Sequence, residues 1–220
     1  MIRVLVRILF LLFVLSSIVL AQADPKKTNS RPQPPTDPVT VQAKPEPFDK
    51  ADVKTMASQC VRLETEAGNI EVELYPEQAP ETVRNFLNLT ALGLYDTTTF
   101  ARVVPGFVIQ GGNLATREVS SVAIALRSRK TIPDEPNSIP HERGVLSMAR
   151  TDEPHSASTH FFILVSVAPD LDGKFAAFGR VTKGMEVVDA INKVPVVNEH
   201  PDKSVRLKKA IVFTCEAKPS

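Results

Sequence analysis

The side chains with the clearest capacity for chemistry lie in one segment, 100–112, where Arg102 stands among apolar residues. Strand alternation over 100–104 would put Arg102 on the same face as Phe100 and Val104. A guanidinium that faces apolar neighbours is costly unless it pairs or serves a site. The alternative interpretation is an arginine whose stem packs while its charged head reaches water. The pattern alone leaves both open, and the segment contains no acid–base pair.

Other kinds of catalysis are excluded because their motifs are missing. The sequence has no G-x-S-x-G segment, and no serine has an obvious paired base. No metal-ligand spacing such as H-E-x-x-H is formed by the four histidines, His141, His155, His160 and His200. The two cysteines lack the number and spacing of a zinc site. We therefore expect no metal, no other cofactor and no covalent intermediate.

The elements that must position the arginine are mostly short strands. Apolar and charged residues alternate over 61–65 and 70–74 around Ala67-Gly68-Asn69, which predicts a β-hairpin. Further strands are predicted at 99–104, 107–110, 145–148, 161–165, 176–181 and 207–214. Helical spacing predicts one helix from Pro80 to near Gly93 and a second over 185–193. Many short strands with two helices favour a closed antiparallel barrel. The intervening segment 113–143 is predicted to be a long, irregular loop.

The N-terminus has the features of an export signal. Arg3 and Arg7 precede an apolar run, 8–20, which Ala21-Gln22-Ala23 follows. This pattern is typical of a secretory signal peptide, 1–23, cleaved before Asp24. The run is shorter than the roughly 20 residues of a membrane span, so we expect no stable span after cleavage, with an uncleaved anchor as the alternative. The mature protein would be periplasmic or extracellular.

The next segment, 24–57, contains seven prolines and no sustained periodicity. Such a segment cannot bury much apolar surface, so it is predicted to be an extended or disordered leader. The folded domain is then expected at 58–217.

Charge and cysteine content limit the partners. The formal net charge of +1 argues against nucleic-acid binding, and no block of like charges suggests a membrane surface. We expect a monomer. In an oxidising compartment, Cys60 and Cys215 could form a disulfide that closes a long loop. Two unpaired thiols on neighbouring strands are the equal alternative.

The segment 100–112, Phe-Ala-Arg-Val-Val-Pro-Gly-Phe-Val-Ile-Gln-Gly-Gly, resembles the signature of the cyclophilins, a family of peptidyl-prolyl cis/trans isomerases. Three further blocks stand in the family's order and at about its spacing: 144–150, 161–163, and 171–174 with 178–181. Together they span roughly 61–215, and the pattern is closest to that of bacterial exported members. The resemblance implies a mainly β fold, an eight-stranded closed antiparallel barrel capped by two helices, with the site on its outer face.

Carried over residue by residue, the resemblance implies a catalytic group and a substrate-binding group. The catalytic group is Arg102, Phe107 and Gln110. The binding group holds the substrate's proline ring and the flanking peptide, and it consists of Val108, Ala149, Arg150, His160, Phe162, Leu171 and Phe175. The substrates would be proline-containing segments of exported or unfolded proteins, whose X–Pro bonds rotate with help from Arg102.

Three positions depart from the family's common pattern. His160 stands where a glutamine is usual, Asp170 where many members carry an aromatic residue, and Phe175 where a histidine is frequent. The missing aromatic wall argues against tight cyclosporin-type binding. A protonated His160 would add a pH dependence, whereas a tolerated rim substitution would not. Two other functions therefore stay open: a proline-peptide-binding chaperone or scaffold with little catalysis, and a secreted barrel of unrelated function.

Overall fold

The structure, a computed structural model, describes residues 45–216. The predicted signal peptide and most of the predicted leader lie outside these residues. The strands are β1 Gln59–Thr65, β2 Gly68–Leu74, β3 Arg102–Val104, β4 Val108–Gly111, β5 Val145–Met148, β6 Phe161–Leu164, β7 Ala177–Lys183, β8 Val196–Val197, β9 His200–Pro201 and β10 Leu207–Thr214. The α-helices are α1 Val53–Ala57, α2 Pro80–Ala91, α3 Val122–Ser128 and α4 Met185–Asn192. Two 3-10 helices cover Leu114–Thr116 and Pro169–Leu171.

Eight of the strands form one antiparallel sheet in the order β10-β1-β2-β7-β5-β6-β4-β3, while β8 and β9 form a separate small hairpin. The predicted mainly β fold with eight antiparallel strands is therefore confirmed. Closure into a complete barrel is not confirmed, because the order is linear and ends at β10 and β3. Among the described residues, the two ends meet through the isolated bridge Thr99–Arg206 and a few neighbouring backbone bonds. The sheet stays open on the β3 side because β3 has only three residues and its outer edge is occupied by the small hairpin. There, Val103 N–H donates to the Glu199 carbonyl at 2.8 Å.

The two predicted helices are present and supply apolar faces to the core. Helix α2 begins at Pro80 and buries Val83, Phe86 and Leu87 completely. The Phe86 ring meets three other rings, those of Tyr95, Phe161 and Phe178, at centroid distances of 5.1–5.4 Å. Each such buried ring contributes roughly 1.5–3 kcal/mol through the area it removes from water. This cluster joins α2 to the strands that carry the predicted site.

The last residues of the predicted disordered leader are ordered, which corrects that prediction for 45–57. Helix α1 is capped by the Asp52 carboxylate, which accepts from Thr55 N–H at 2.7 Å, and Met56 is fully buried. One guanidinium nitrogen of Arg84, on α2, donates to the carbonyls of Phe48 and Ala51 at 2.7 Å. These partners are far away in the sequence, so the local proline-rich composition did not reveal them. The predicted loop 113–143 likewise contains α3.

The structure joins Cys60 and Cys215 in a disulfide, with their Cα atoms 5.1 Å apart. Cys60 lies in β1, which pairs with β10, and Cys215 directly follows β10. The bond therefore links the first strand of the sheet to the last one at its edge. Within residues 45–216, no helix has the length and apolar composition that crossing a membrane requires.

A buried histidine anchors the 3-10 helix that carries Leu171. His141 is 1% exposed, its Nδ1 lies 3.0 Å from Asp172 Oδ1, and its Nε2 lies 3.0 Å from Ser147 Oγ. Because a carboxylate only accepts hydrogen bonds, Nδ1 donates to Asp172. The His141 carbonyl also accepts from Ala168 N–H, at the start of the same 3-10 helix. The chain of acid, imidazole and hydroxyl is structural, because Ser147 is completely buried in β5 and no substrate can reach it.

Replacing Cys60 and Cys215 with serine is expected to lower the free energy of unfolding by about 2–4 kcal/mol, since the disulfide restricts the unfolded chain over a long loop. The two residues are 155 positions apart. Urea unfolding of the double variant, beside the oxidised and the reduced parent, measures the effect. An equal loss in the reduced parent would show that the crosslink is responsible, whereas an unchanged midpoint on reduction would contradict the prediction.

The hydrogen bonds from the backbone and side chain of His141 lower the pKa of Asp172 below its usual 3.8. A carboxyl group whose pKa is depressed by folding stabilises the protein above its unfolded pKa and loses that contribution as pH falls through the folded pKa. Asp172→Asn should therefore destabilise the protein at neutral pH, and its difference from the parent should narrow below about pH 4. Urea unfolding at several pH values tests this. Asp170→Asn, at an exposed position two residues earlier, is the matched control, and a difference that stays constant down to acid pH would contradict the assignment.

Candidate active site

The β3–β4 hairpin supplies four of the predicted site residues. Arg102 on β3 stands opposite Gln110 on β4, and Val104 stands opposite Val108. Between the strands, Phe107 N–H donates to the Val104 carbonyl at 3.0 Å, which closes a four-residue turn. Gly106 occupies the third position of this turn with φ of +73°, a conformation that favours glycine. The Pro-Gly pair thus brings the two ends of the predicted signature side by side.

A polar residue that the sequence interpretation missed holds this turn from below. Asn192, the last residue of α4, is 6% exposed. Its Oδ1 accepts from Gly106 N–H at 2.8 Å, and its Nδ2 donates to the Val104 and Val108 carbonyls at 2.9 and 3.0 Å. These bonds give the Gly106 N–H an acceptor and give the Val104 and Val108 carbonyls a side-chain donor. The available signal was its spacing of four residues from Val188, on the apolar face of the predicted helix.

The far end of β4 is fixed by Gly112, which has φ of +84°. A Cβ atom there would overlap the backbone oxygen of Thr159, so only glycine allows this approach. The contact brings the end of the hairpin against the start of β6, where Phe162 is paired with Gln110. This steric requirement explains the glycine at position 112, the last residue of segment 100–112.

The hairpin and its neighbours enclose an open groove of about 400 Å³. Its lining contains nine of the ten residues predicted for the catalytic and binding groups: Arg102, Phe107, Val108, Gln110, Ala149, Arg150, Phe162, Leu171 and Phe175. Val108 and Phe162 are almost fully buried beneath it. The rings of Phe162 and Phe175 meet edge to face at 6.0 Å, which gives the groove an aromatic wall.

Arg102 is paired on two sides at the edge of this groove. Its Nη1 donates to Gln110 Oε1 at 3.2 Å, and its Nε donates to Glu199 Oε2 at 2.7 Å. The side chain remains 38% exposed, so the guanidinium is both paired and reachable by a ligand. Glu199 lies 97 residues away in the sequence, in the turn between β8 and β9, and no local pattern pointed to it.

Arg150 packs against Phe175, another residue of the groove lining. Its guanidinium lies over the Phe175 ring at 5.2 Å from the centroid, and its Nη1 donates to the Thr151 carbonyl at 2.9 Å. The Ala149 N–H donates to the His160 carbonyl at 3.0 Å, which joins the end of β5 to the start of β6. The predicted binding residues Ala149 and Arg150 thus both line the groove.

The three departures from the family pattern fall at different places. Phe175 lines the groove, whereas Asp170 is exposed on the 3-10 helix and His160 is not part of the groove lining.

Burial lowers the pKa of the half-buried His160 below its usual value of 6.5, because the charged imidazolium would lose water. The His160 imidazole is therefore neutral at neutral pH and becomes protonated only under acidic conditions.

The arrangement suits recognition without covalent chemistry. The groove offers a small ring an apolar floor formed by Val108 and Phe162. At its edge, the N–H groups of the Arg102 guanidinium can donate hydrogen bonds. Among the described residues, those that line the groove include no serine or cysteine. In the part of the chain that the structure describes, no three His, Cys, Asp or Glu side chains cluster in a way that could hold a metal ion.

Comparison with known proteins agrees with this geometry. Residues 60–212 match the family model described as cyclophilin type peptidyl-prolyl cis-trans isomerase/CLD. Peptidyl-prolyl cis-trans isomerase A of Dickeya dadantii is 38% identical over 161 residues, which cover 69% of this chain and 80% of that protein. A peptidyl-prolyl cis-trans isomerase of Acinetobacter baylyi is 39% identical over 146 residues, which cover 64% of this chain and 75% of that one.

Solved structures agree as well. The crystal structure of a Cryptosporidium parvum cyclophilin type peptidyl-prolyl cis-trans isomerase is similar, with a TM-score of 0.63 and 30% sequence identity. The similarity covers 72% of this chain and 99% of that one. A second crystal structure of the same parasite protein, in the presence of the dipeptide Ala-Pro, has a TM-score of 0.62. The chain therefore belongs to the cyclophilin-type family of enzymes, the peptidyl-prolyl cis-trans isomerases.

Proposed function

We propose that this isomerase accelerates X–Pro rotation in exported or unfolded proteins, and that Arg102 assists the rotation without a covalent intermediate. The observation that carries the proposal is the position of the Arg102 guanidinium, which is fixed by Gln110 at the edge of an apolar groove. The crystal structure of the related parasite isomerase in the presence of Ala-Pro supports a proline-containing segment as the ligand.

The chemistry requires selective binding of a twisted amide. Rotation about an X–Pro bond takes tens to hundreds of seconds without a catalyst, against a barrier of about 18–20 kcal/mol that reflects lost resonance. Because no covalent bond breaks, the enzyme needs no nucleophile and must instead bind the twisted form more tightly than either planar form. As conjugation is lost, the prolyl nitrogen regains its lone pair and becomes a better hydrogen-bond acceptor.

The residues of the groove can provide this selectivity. The apolar floor formed by Val108 and Phe162 would hold the proline ring and exclude water, so a hydrogen bond from Arg102 to the prolyl nitrogen gains strength. One charge-assisted bond contributes about 1.5–3 kcal/mol, or roughly one to two decades in rate. The Gln110 amide NH2 group remains as a donor for a peptide carbonyl, because its Oε1 accepts from Arg102. Pocket shape and desolvation would supply the remainder.

The expected test is cis/trans exchange of an Ala-Pro peptide, measured by NMR with the oxidised chain 24–220. Arg102→Ala should reduce the catalysed exchange about 10- to 100-fold, because the twisted amide loses a charge-assisted hydrogen bond. Arg129→Ala removes an exposed arginine at the end of α3, away from the groove, and is the matched control. Broadening of groove signals by the peptide without faster exchange in the parent would favour a proline-binding chaperone or scaffold. Full activity in Arg102→Ala would overturn the role of the arginine.

The export part of the proposal is supported by the predicted signal peptide and by the Cys60–Cys215 disulfide, a bond typical of oxidising compartments. When the full chain is expressed with its own N-terminus in a bacterial host, the protein is expected in the extracytoplasmic fraction. N-terminal sequencing should then begin at Asp24. A protein that stays in the cytoplasmic fraction and retains residues 1–23 would contradict this prediction, and one that retains them in the membrane fraction would indicate an uncleaved anchor.

A further inference from the structure

The carboxylate of Glu199 reaches Arg102 from a tight turn whose backbone is unusual for a glutamate. Strands β8 and β9 pair Val197 with His200, which leaves Asn198 and Glu199 as a two-residue loop. Both have positive φ, 50° and 66°. Such turns favour Asn-Gly, because the second position suits glycine better than any residue with a Cβ atom. A glutamate there is disfavoured by the backbone, and a disfavoured conformation of this kind is often retained for a functional contact.

The hairpin is held firmly against β3, so the carboxylate is presented in a fixed place. Val103 N–H donates to the Glu199 carbonyl at 2.8 Å, and His200 Nδ1 lies 3.3 Å from the Ala101 carbonyl. At its base, Asp202 N–H donates to the Pro195 carbonyl at 3.0 Å. The contacts at Ala101 and Val103 flank Arg102 on both sides along the chain, so the hairpin is tied to the strand that carries the arginine.

Stability alone does not explain the Arg102–Glu199 pair. The two side chains are 38% and 48% exposed, and ion pairs at that exposure add little to stability. The Glu199 carboxylate accepts from Arg102 Nε at 2.7 Å. Gln110 holds Nη1 of the same guanidinium. These two acceptors, on one planar guanidinium, define the orientation of the Arg102 side chain. Within residues 45–216, no hydrogen bond engages Nη2, which leaves its N–H groups for a ligand.

We propose that Glu199 is a positioning residue that orients the Arg102 guanidinium before the substrate binds. The inference rests on the arginine-assisted function proposed above and extends it to a residue outside segment 100–112. A long, half-exposed arginine otherwise samples many rotamers, and a group that is already oriented avoids that ordering cost in the transition state.

The carboxylate has two opposing effects on catalysis, and the geometry decides between them. A negative charge beside Nε weakens the positive potential that the substrate meets, but the high dielectric of the water around this half-exposed pair reduces that effect. The short hydrogen bond to Nε restricts the rotamer regardless of screening. Orientation therefore outweighs charge, and a neutral acceptor at position 199 should largely replace the carboxylate.

Three substitutions separate these effects. Glu199→Ala should lower kcat for an Ala-Pro peptide about three- to fivefold with little change in KM, as expected for loss of one exposed, oriented pair. Glu199→Gln, whose amide oxygen can accept from Nε, should restore kcat to within about twofold. Glu199→Gly forms the preferred Asn-Gly turn, so it should retain or raise Tm while lowering kcat as Glu199→Ala does. The Arg102 Nε–H signal in 1H–15N spectra should be sharp in the parent and Glu199→Gln, and broadened in the other two.

The Arg102→Ala background distinguishes failure of this inference from failure of the proposed function. If Glu199 acts through the arginine, Glu199→Ala should cause no further loss when Arg102 is already alanine. An equal loss in both backgrounds, or faster exchange in both Glu199→Ala and Glu199→Gln, would overturn the positioning role and leave arginine assistance intact. If Arg102→Ala alone retains full activity, both proposals fall. An unchanged Nε–H signal in Glu199→Ala would overturn positioning independently of any rate.

Discussion

The groove depends on the pairing of β3 with β4, because that hairpin carries both the cation and part of the apolar floor. A three-residue edge strand has few hydrogen bonds of its own. It is held by β4 on one side, by the β8–β9 hairpin on the other, and by the Asn192 amide beneath its turn. A shift of one residue in this register would turn Arg102 away from Gln110, since successive side chains on a strand point to opposite faces.

Two buried polar side chains close to the groove, those of Asn192 and His141, have hydrogen-bond partners. Asn192 satisfies three backbone groups of the turn, and His141 links Asp172 to Ser147 behind the wall that carries Leu171. A buried polar group without a partner is expensive, so each of these contacts restricts the geometry around it. The groove thus combines a packed apolar lining with a hydrogen-bonded support that has few alternative arrangements.

Much of this organisation was predictable from local pattern. Strands β5 and β10 have the bounds that alternation and apolar runs predicted, and helix α2 begins at Pro80 as expected. The resemblance of segment 100–112 to the cyclophilins led to nine residues that the structure brings into one groove. His160 was the exception, because a position next to a strand does not determine which way a side chain faces. The prediction of a closed barrel was not confirmed, because the number of strands does not determine whether the two edge strands of a sheet pair with each other.

By itself, the sequence determined the strands of the large sheet, helices α2 and α4, the family and the chemical character of the groove, because each of these rests on residues that are close together in the chain. Only the tertiary structure decided the contacts between distant segments. Glu199 on Arg102, Asn192 under the turn at Gly106, and the anchoring of residues 45–57 by Arg84 join positions that are between 33 and 97 residues apart. Periodicity reports the surroundings of a residue along its own helix or strand, whereas these contacts depend on how separate elements pack against one another.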